Sequence, residues 1–170
     1  MASFFSSITD EQANLIKNSP VFFVATSAPT SSDISEGLGP INLSPKGGTP
    51  LHIINSNCVA FLDYAGSGNE TARHSGLGSP ITVMICSFEG ENAAIVRLYG
   101  KAKIIPIYQY PLAEELLKNG SREIKLTPRQ VIEIQVEKTT TSCGYGVPIM
   151  TFTRERRTAD RGKQYKTYRK

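Results

Sequence analysis

Several strand-like segments of this chain follow one another too closely for parallel pairing. A parallel crossover needs a dozen or more residues, and three of the six connections here are shorter, residues 45–50, 55–57 and 89–92. We therefore predict an antiparallel sheet of six to seven strands, closed into a barrel because closure removes exposed sheet edges. The segments are Val21–Thr26, Ile41–Ser44, Leu51–Ile54, Cys58–Asp63, Ile81–Phe88, Ala93–Ile105 and Val131–Glu137.

Three short helices are expected to flank this sheet, which makes the predicted fold mainly β in an α+β arrangement. Thr9 and Gln12 form the pattern of a capping box, which predicts a helix from Asp10 to Asn18. A second helix is expected to begin after Asn69, because that residue suits an N-cap position. The third is expected from Tyr110 to Lys118, ahead of a glycine.

The composition is that of a soluble globular protein. Hydrophobic residues make up 39% and charged residues 20% of the 170 positions, and no apolar stretch approaches the roughly 18 residues of a membrane helix. The three cysteines, Cys58, Cys86 and Cys143, are odd in number and far apart, which favours a reducing, cytoplasmic setting. We expect no signal peptide and no membrane association, because the first residues lack a basic flank and a long apolar core.

The net charge of +4 is unevenly placed along the chain. The segment from Arg154 to Lys170 has eight basic and two acidic residues, 8 − 2 = +6, which leaves 4 − 6 = −2 for the rest. We therefore divide the chain into a folded domain, residues 1–152, and a basic tail, residues 153–170. Such a tail can bind nucleic acid. A solvated terminus is the favoured interpretation, so nucleic acid is not an expected partner.

A loop with two glycines follows the apolar run from Cys58 to Leu62. Gly66 and Gly68 interrupt the pattern, and Asn69 precedes residues suited to a helix, so the order is strand, loop and helix start. Such a junction presents unpaired backbone N–H groups, which suit a phosphate. An ordinary polar turn before a helix is the alternative. The loop lacks the third glycine of a dinucleotide fingerprint and the Gly-Lys-Thr ending of a P-loop.

Other catalytic chemistries find little support in the residues. His52 and His74 are the two histidines, and no Gly-x-Ser-x-Gly elbow accompanies them. No Cys-x-x-Cys or His-x-x-x-His spacing exists, so no metal site is predicted. Arg97 lies within an apolar run, where an arginine is costly unless it is paired or faces a ligand. Solvent exposure, or pairing with Asp63 or Glu70, is the alternative for this residue.

Five segments of the chain together form a recognisable series, namely Ile41–Gly47, Leu62–His74, Ile81–Gly90, Val96–Gly100 and Thr141–Pro148. In this order they resemble a subfamily of the pyridoxamine 5'-phosphate oxidase-like FMN-binding proteins. The resemblance covers most of the chain from Phe4 to Pro148. It implies a split β-barrel, a homodimer, and FMN held in two clefts between the subunits.

The resemblance also implies a role for particular residues. Lys46 looks like the lysine that ends the family's first cofactor-binding strand, and Arg97 looks like the arginine that reaches the flavin. Tyr64 and the loop after it resemble the segment along the ribityl phosphate, and residues 141–148 resemble a cap over the partner subunit's cofactor. The expected cofactor-binding set is Asn42, Ser44, Lys46, Tyr64, Ser67, Gly68, Asn69, Glu70, Thr71, Arg97, Cys143, Gly144 and Tyr145.

The function implied is that of an FMN-dependent oxidoreductase acting on an unidentified small substrate, with no identified catalytic acid or base. The chain has no tryptophan, no histidine after His74 and no Arg-Lys pair in its loop, so oxidation of pyridoxamine phosphate itself is not expected. One alternative is an FMN-binding module without strong catalysis. Another is a haem-binding split barrel with His74 or His52 as axial ligand.

Overall fold

The described residues form eight strands and three α-helices. The structure is a computed structural model that describes residues 2–34, 39–66, 68–119, 127–156 and 160. The strands are β1 Ser3–Phe5, β2 Val21–Ser27, β3 Ile41–Gly47, β4 His52–Asn55, β5 Cys58–Tyr64, β6 Pro80–Cys86, β7 Ala94–Pro106 and β8 Pro128–Cys143. The helices are α1 Asp10–Asn18, α2 Glu70–Gly76 and α3 Ala113–Lys118, with short 3-10 helices at Ser31–Asp33 and Ile107–Gln109.

All strand pairs are antiparallel, as the short connections predicted. The strands are ordered β3-β2-β6-β7-β8-β5-β4, and β1 pairs with β8 beside this path. The first half of β8 pairs with β5 and its second half with β1, while β7 runs along its length. Strand β8 therefore links β1, β5 and β7 within one sheet.

The strand count of six to seven was too low by at least one. The additional strand is β1, which pairs with Thr139, Thr140 and Thr141 of β8. Its three residues are exposed and show no alternation, so no local pattern predicted it. The third helix begins at Ala113 rather than Tyr110, because a 3-10 helix and Pro111 precede it.

Alternation along the strands directs one face of the sheet into the core. In β2 the buried residues are Phe22, Val24 and Thr26, each flanked by residues that are only partly buried. Strand β5 differs because Cys58 to Asp63 are all buried. Its inner face joins the main core, and its outer face is covered by a second cluster. Burying each large aliphatic side chain stabilises the folded state by about 1.5–3 kcal/mol. The second cluster contains Ala60, Leu62, Tyr110, Leu116 and Val131.

The predicted capping box at α1 is confirmed. The Thr9 hydroxyl accepts from the Gln12 backbone N–H at 3.3 Å, and the Gln12 side chain accepts from the Thr9 N–H at 3.2 Å. The same side chain bonds to Thr139 and Thr141 of β8, which fixes the helix against the sheet. Within the described residues, no helix is both long and apolar enough to cross a membrane.

Gly100 lies where the β7–β8 register shifts, and it packs directly on the opposite backbone. A methyl group at this position would overlap the carbonyl of Gln135. We expect Gly100→Ala to lower the free energy of unfolding by about 2 kcal/mol, because backbone atoms cannot move aside as a side chain can. Urea denaturation of the purified protein measures this change.

Gly76 provides the matched control for this substitution. It ends α2, and a methyl group there would meet no atom within 4 Å. Gly76→Ala should leave stability unchanged or raise it slightly, because alanine is the better helix former. If the two variants were equally stable, the close approach of Gly100 to the backbone of Gln135 would not affect the free energy of unfolding.

Candidate functional site

A cavity of about 330 Å³ opens where β3, the end of β5, the glycine loop, the start of α2 and the start of β8 meet. This size lies at the lower end of the range for small-molecule sites. Several of the residues expected from the sequence line it, together with Asp63 and Arg129, which were not among them. The lining residues are Ser44, Pro45, Lys46, Asp63, Tyr64, Gly66, Gly68, Asn69, Glu70, Thr71, Ala72 and Arg129.

Strand β3 supplies one wall of the cavity because its residues alternate. Asn42, Ser44 and Lys46 are partly buried, whereas the residues between them are exposed. Lys46 pairs with Phe22 of β2, so these three polar side chains share the inner face of the sheet. This follows from the spacing of two residues between them, because alternate residues of a strand face the same side of the sheet.

A buried carboxylate joins three elements at the floor of the cavity. Asp63, with a side chain only 9% exposed, accepts from Arg129 Nε at 2.9 Å and from Gln130 Nε2 at 2.7 Å. The ammonium of Lys46 lies 3.7 Å from the other carboxylate oxygen. Arg129 also donates to the carbonyl of Gly68 at 3.0 Å, so it fixes the glycine loop against β8.

Sequence reasoning missed Arg129 because no local pattern marks it. It precedes the alternating run that predicted the last strand, and only the pairing of β5 with β8 brings it near Asp63. The available signal was indirect: a carboxylate ending a buried strand needs a cation. Two cations, Lys46 and Arg129, face two carboxylates, Asp63 and Glu70, so these four groups carry no net charge.

Of the two cations, Lys46 is the more available to a ligand. Its ammonium is farther from Asp63 than the guanidinium of Arg129 is, by 3.7 Å against 2.9 Å. It also lies 5.9 Å from the centre of the Phe61 ring, which holds the side chain over the inner face. An anion entering the cavity can therefore recruit Lys46 without breaking the Arg129 pair.

A chain of hydrogen bonds runs behind the cavity wall. The Ser44 hydroxyl donates to Asn42 Oδ1 at 3.0 Å. The Asn42 amide donates to Thr71 Oγ1 at 2.9 Å and to Thr26 Oγ1 at 3.4 Å. Since Thr71 accepts from Asn42, its own proton is free to be donated into the cavity.

His74 closes this chain in the interior. It is 2% exposed, and its Nδ1 lies 3.1 Å from Thr26 Oγ1. Arg73 lies beside the ring, 3.4 Å from Nε2, and donates to the carbonyl of Asp33. Burial, and then the positive charge of Arg73, lower the pKa of His74, so the ring is neutral at pH 7.

Arg97 lies on the opposite face of the sheet from Lys46. The register places it in a row with Phe23 and Met84, whereas Lys46 shares its row with Phe22. Its guanidinium donates to Ser142 Oγ at 3.0 Å, and Arg97 does not line the cavity. The structure therefore groups Arg97 with the end of β8 and not with the expected cofactor ligands that line the cavity.

Strand β8 ends at the exposed Cys143, whose sulfur accepts from the backbone N–H of Tyr145 at 3.4 Å. Gly144 is buried, and a Cβ atom at this position would lie 2.7 Å from the backbone nitrogen of Ala94, so the close approach requires glycine. Tyr145 is 92% exposed. Ser67, also expected at the site, lies outside the described residues, as does most of the predicted tail.

The helix after the glycine loop begins at Glu70, as expected, but Asn69 does not cap it through its side chain. The Asn69 side-chain oxygen instead accepts from Gln130 at 3.3 Å. Tyr64 ends β5 at the cavity, and burial raises the pKa of its phenol, so it stays protonated at neutral pH. Within the described residues, no three side chains of His, Cys, Asp or Glu converge as a metal site.

Comparison with known proteins agrees with the resemblance of the segments. No family model matches the chain. A pyridoxamine 5'-phosphate oxidase family protein of Aspergillus flavus is 32% identical over 155 residues, which are 90% of this chain and 59% of that protein. The chain thus spans about three-fifths of the length of this curated relative.

Solved structures share the fold. A candidate pyridoxamine 5'-phosphate oxidase of Lactobacillus delbrueckii superposes with a TM-score of 0.56 at 18% identity, over 79% of this chain and 94% of that one. A protein of Mesorhizobium loti described as FAD-binding superposes with a TM-score of 0.52 at 10% identity, over 83% and 97%. The fold is the split barrel predicted from the sequence. The chain belongs to the pyridoxamine 5'-phosphate oxidase-like split-barrel proteins.

Lowering the pH from about 7.5 to about 5.5 should lower the free energy of unfolding. Burial lowers the pKa of both His74 and His52 in the folded chain. Below about pH 6.5 the unfolded chain therefore binds protons that the folded chain does not, and stability is lost as the pH falls. Urea denaturation at several pH values measures the slope. His74→Asn and His52→Asn should each remove part of it, and an unchanged slope in both would contradict this assignment.

Proposed function

We propose that this chain binds FMN and acts as a flavin-dependent oxidoreductase on a small molecule. The observation that carries the proposal is the cavity itself, in which Lys46, Arg129 and Thr71 surround the glycine loop on a split-barrel fold. Lys46 and Arg129 supply positive charge, and the hydroxyl of Thr71 has a proton to donate. This set of donors fits the phosphate end of a flavin mononucleotide.

The charges in the cavity determine how a phosphate is held. The pair of Arg129 with Asp63 keeps the floor intact and the glycine loop in place. Lys46 lies farther from Asp63 than Arg129 does. Turning its ammonium towards the phosphate therefore costs less interaction energy than turning the guanidinium of Arg129 would. Glu70 opposes the anion, because its carboxylate lines the same space. We therefore assign the main favourable charge to Lys46.

FMN, when bound, supplies hydride or electron transfer at its isoalloxazine ring. The chain supplies binding, orientation and the electrostatics around the ring. Tyr64 contributes a protonated phenol at the cavity and so serves as a hydrogen-bond donor. Neither histidine lines the cavity, so the proposal assigns no catalytic acid or base. An FMN-binding module with little turnover is the second form of the same function.

We further propose that two copies of the chain share each site. Neither Arg97 nor Tyr145 lines the cavity, and Arg97 lies on the face of the sheet opposite to Lys46, so it cannot serve the cavity of its own chain together with that residue. Large apolar side chains are exposed on the same molecule, among them Ile41 at 66% and Leu43 at 65% on β3. We propose that a second copy covers these side chains and contributes its Arg97 to the first copy's cavity. Because the cysteines are free, we place such a dimer in a reducing, cytoplasmic setting.

Haem is the less supported cofactor. Both ring nitrogens of His74 are engaged, one by Thr26 and one by Arg73, and the side chain is buried. The Nε2 atom of His52 is buried as well. An axial ligand needs an accessible ring nitrogen.

Flavin released from the purified protein should be FMN and not FAD. The motivation is a single short phosphate-binding loop without the fingerprint for a second nucleotide half. Denaturation followed by HPLC of the supernatant identifies the species, and absorbance of the intact protein distinguishes flavin from a haem Soret band. FAD as the main species, or a Soret band, would overturn the assignment of FMN.

Lys46→Ala and Arg97→Ala should each weaken FMN binding by roughly tenfold or more. Removing one partner of a desolvated charge pair typically costs about 2–5 kcal/mol, and tenfold is about 1.4 kcal/mol. Lys101→Ala is the control, because that side chain is exposed and does not line the cavity. Flavin fluorescence quenching on the apo-proteins measures all three affinities.

Mixed dimers show whether each FMN site is formed by residues of both chains or of one chain alone. Co-expression of Lys46→Ala and Arg97→Ala chains with different tags yields heterodimers by two-step purification. If each site takes Lys46 from one chain and Arg97 from the other, one site of each heterodimer is intact and binds FMN with the unmodified affinity. If both residues serve the cavity of their own chain, every site lacks one of them. No site of the heterodimer then binds FMN with the unmodified affinity.

A further inference from the structure

We propose that His74 is a positioning residue for the cavity. It acts through Thr26 and Asn42 on two hydroxyls of the cavity wall, those of Ser44 and Thr71. His74 does not line the cavity, so this role is indirect. The inference rests on the proposed function only for the identity of the ligand.

The hydrogen-bond partners assign the tautomer of His74. A guanidinium can only donate, so the contact of Arg73 with Nε2 requires a lone pair on that nitrogen. The ring proton is then on Nδ1, which donates to Thr26 Oγ1. A second proton on Nε2 would face the cation, and burial disfavours the charged ring as well. The ring is thus neutral and has one donor, directed at Thr26.

This donor fixes the rotamer of Thr26. The Thr26 side chain is buried, and exchange of its hydroxyl and methyl positions would leave Nδ1–H without an acceptor. With the hydroxyl held towards His74, Oγ1 also accepts from the Asn42 amide. The buried ring of His74, which does not line the cavity, therefore fixes the position of Thr26 Oγ1, one of the two acceptors of the Asn42 amide.

The orientation of Asn42 sets the polarity of the cavity wall. Its amide nitrogen donates to Thr26 and Thr71, and its oxygen accepts from Ser44. Thr71 therefore presents a donor to the cavity, whereas the hydroxyl of Ser44, whose proton is used, presents an acceptor. A donor suits a phosphate oxygen, and an acceptor suits an aliphatic hydroxyl. The wall is matched to the phosphate ester of a hydroxylated carbon chain.

Two substitutions at His74 test the role. His74→Asn places an amide donor near the position of Nδ1, whereas His74→Leu removes every donor from this place. We expect His74→Leu to weaken FMN binding by about tenfold, the worth of one or two buried hydrogen bonds, and His74→Asn to restore most of that loss. Fluorescence quenching with FMN on the full chain measures both.

Thr26→Val tests the same link without changing the ring, and it serves if His74→Leu does not fold. It keeps the shape of the side chain and removes the hydroxyl, so it should weaken FMN binding as His74→Leu does. Thr139→Val is the matched control, because Thr139 is a buried threonine whose hydroxyl bonds to Ser7 and Gln12 and not to the cavity. It should lower stability and leave FMN affinity unchanged. Equal loss of affinity in both valine variants would overturn the inference.

A measurement without ligand separates this inference from the proposed function. Exchange of the Asn42 side-chain amide protons, followed by NMR, should be slow in the unmodified protein and in His74→Asn. It should be fast in His74→Leu and Thr26→Val. Failure of the unmodified protein to bind FMN would overturn the proposed function alone. Slow exchange in all four proteins would overturn the role of His74, whatever the ligand.

Discussion

The geometry of the cavity depends on the buried carboxylate of Asp63. A carboxylate with so little exposure costs several kcal/mol unless charged and hydrogen-bonding partners surround it. Here the partners come from β8, which pairs with β5, and from β3, which lies at the other end of the strand order. The need to satisfy one charge therefore draws three strands to a common point. The glycine loop is held there as well, because Arg129 reaches its carbonyl from the same position.

The split form of the barrel leaves a cavity at this point. In the described part of the chain, β3 and β4 end the path of paired strands, so the barrel is not closed by backbone hydrogen bonds at β3. Side chains bridge the gap, with the ring of Phe22 edge-on to Phe61 at 5.3 Å and Lys46 above the same ring. Polar residues at the end of this bridge face a cavity and not a neighbouring strand. The proposed ligand site thus occupies a place where a closed barrel would have continued its sheet.

Much of this arrangement could be predicted from the sequence, because the residues involved follow short-range rules. Period-two alternation placed Asn42, Ser44 and Lys46 on one face, and the capping box placed α1. Arg129 and the true position of Arg97 could not be found in this way. Both depend on register between strands far apart in the chain, and β5–β8 and β7–β8 each contain a register shift. Local composition contains no signal for which row of a sheet a residue will join.

The hydrogen bond between Arg129 and Gly68 also limits when the cavity can be completed during folding. Its partners are 61 residues apart, and the strand that contains Arg129 is the last one of the described fold. Contacts of such separation form late, since the entropy of closing the intervening loop must be overcome first. During synthesis, the loop and Lys46 emerge well before the residue that completes their site. The cavity wall formed by Arg129 is therefore complete only after β8 has paired with β5.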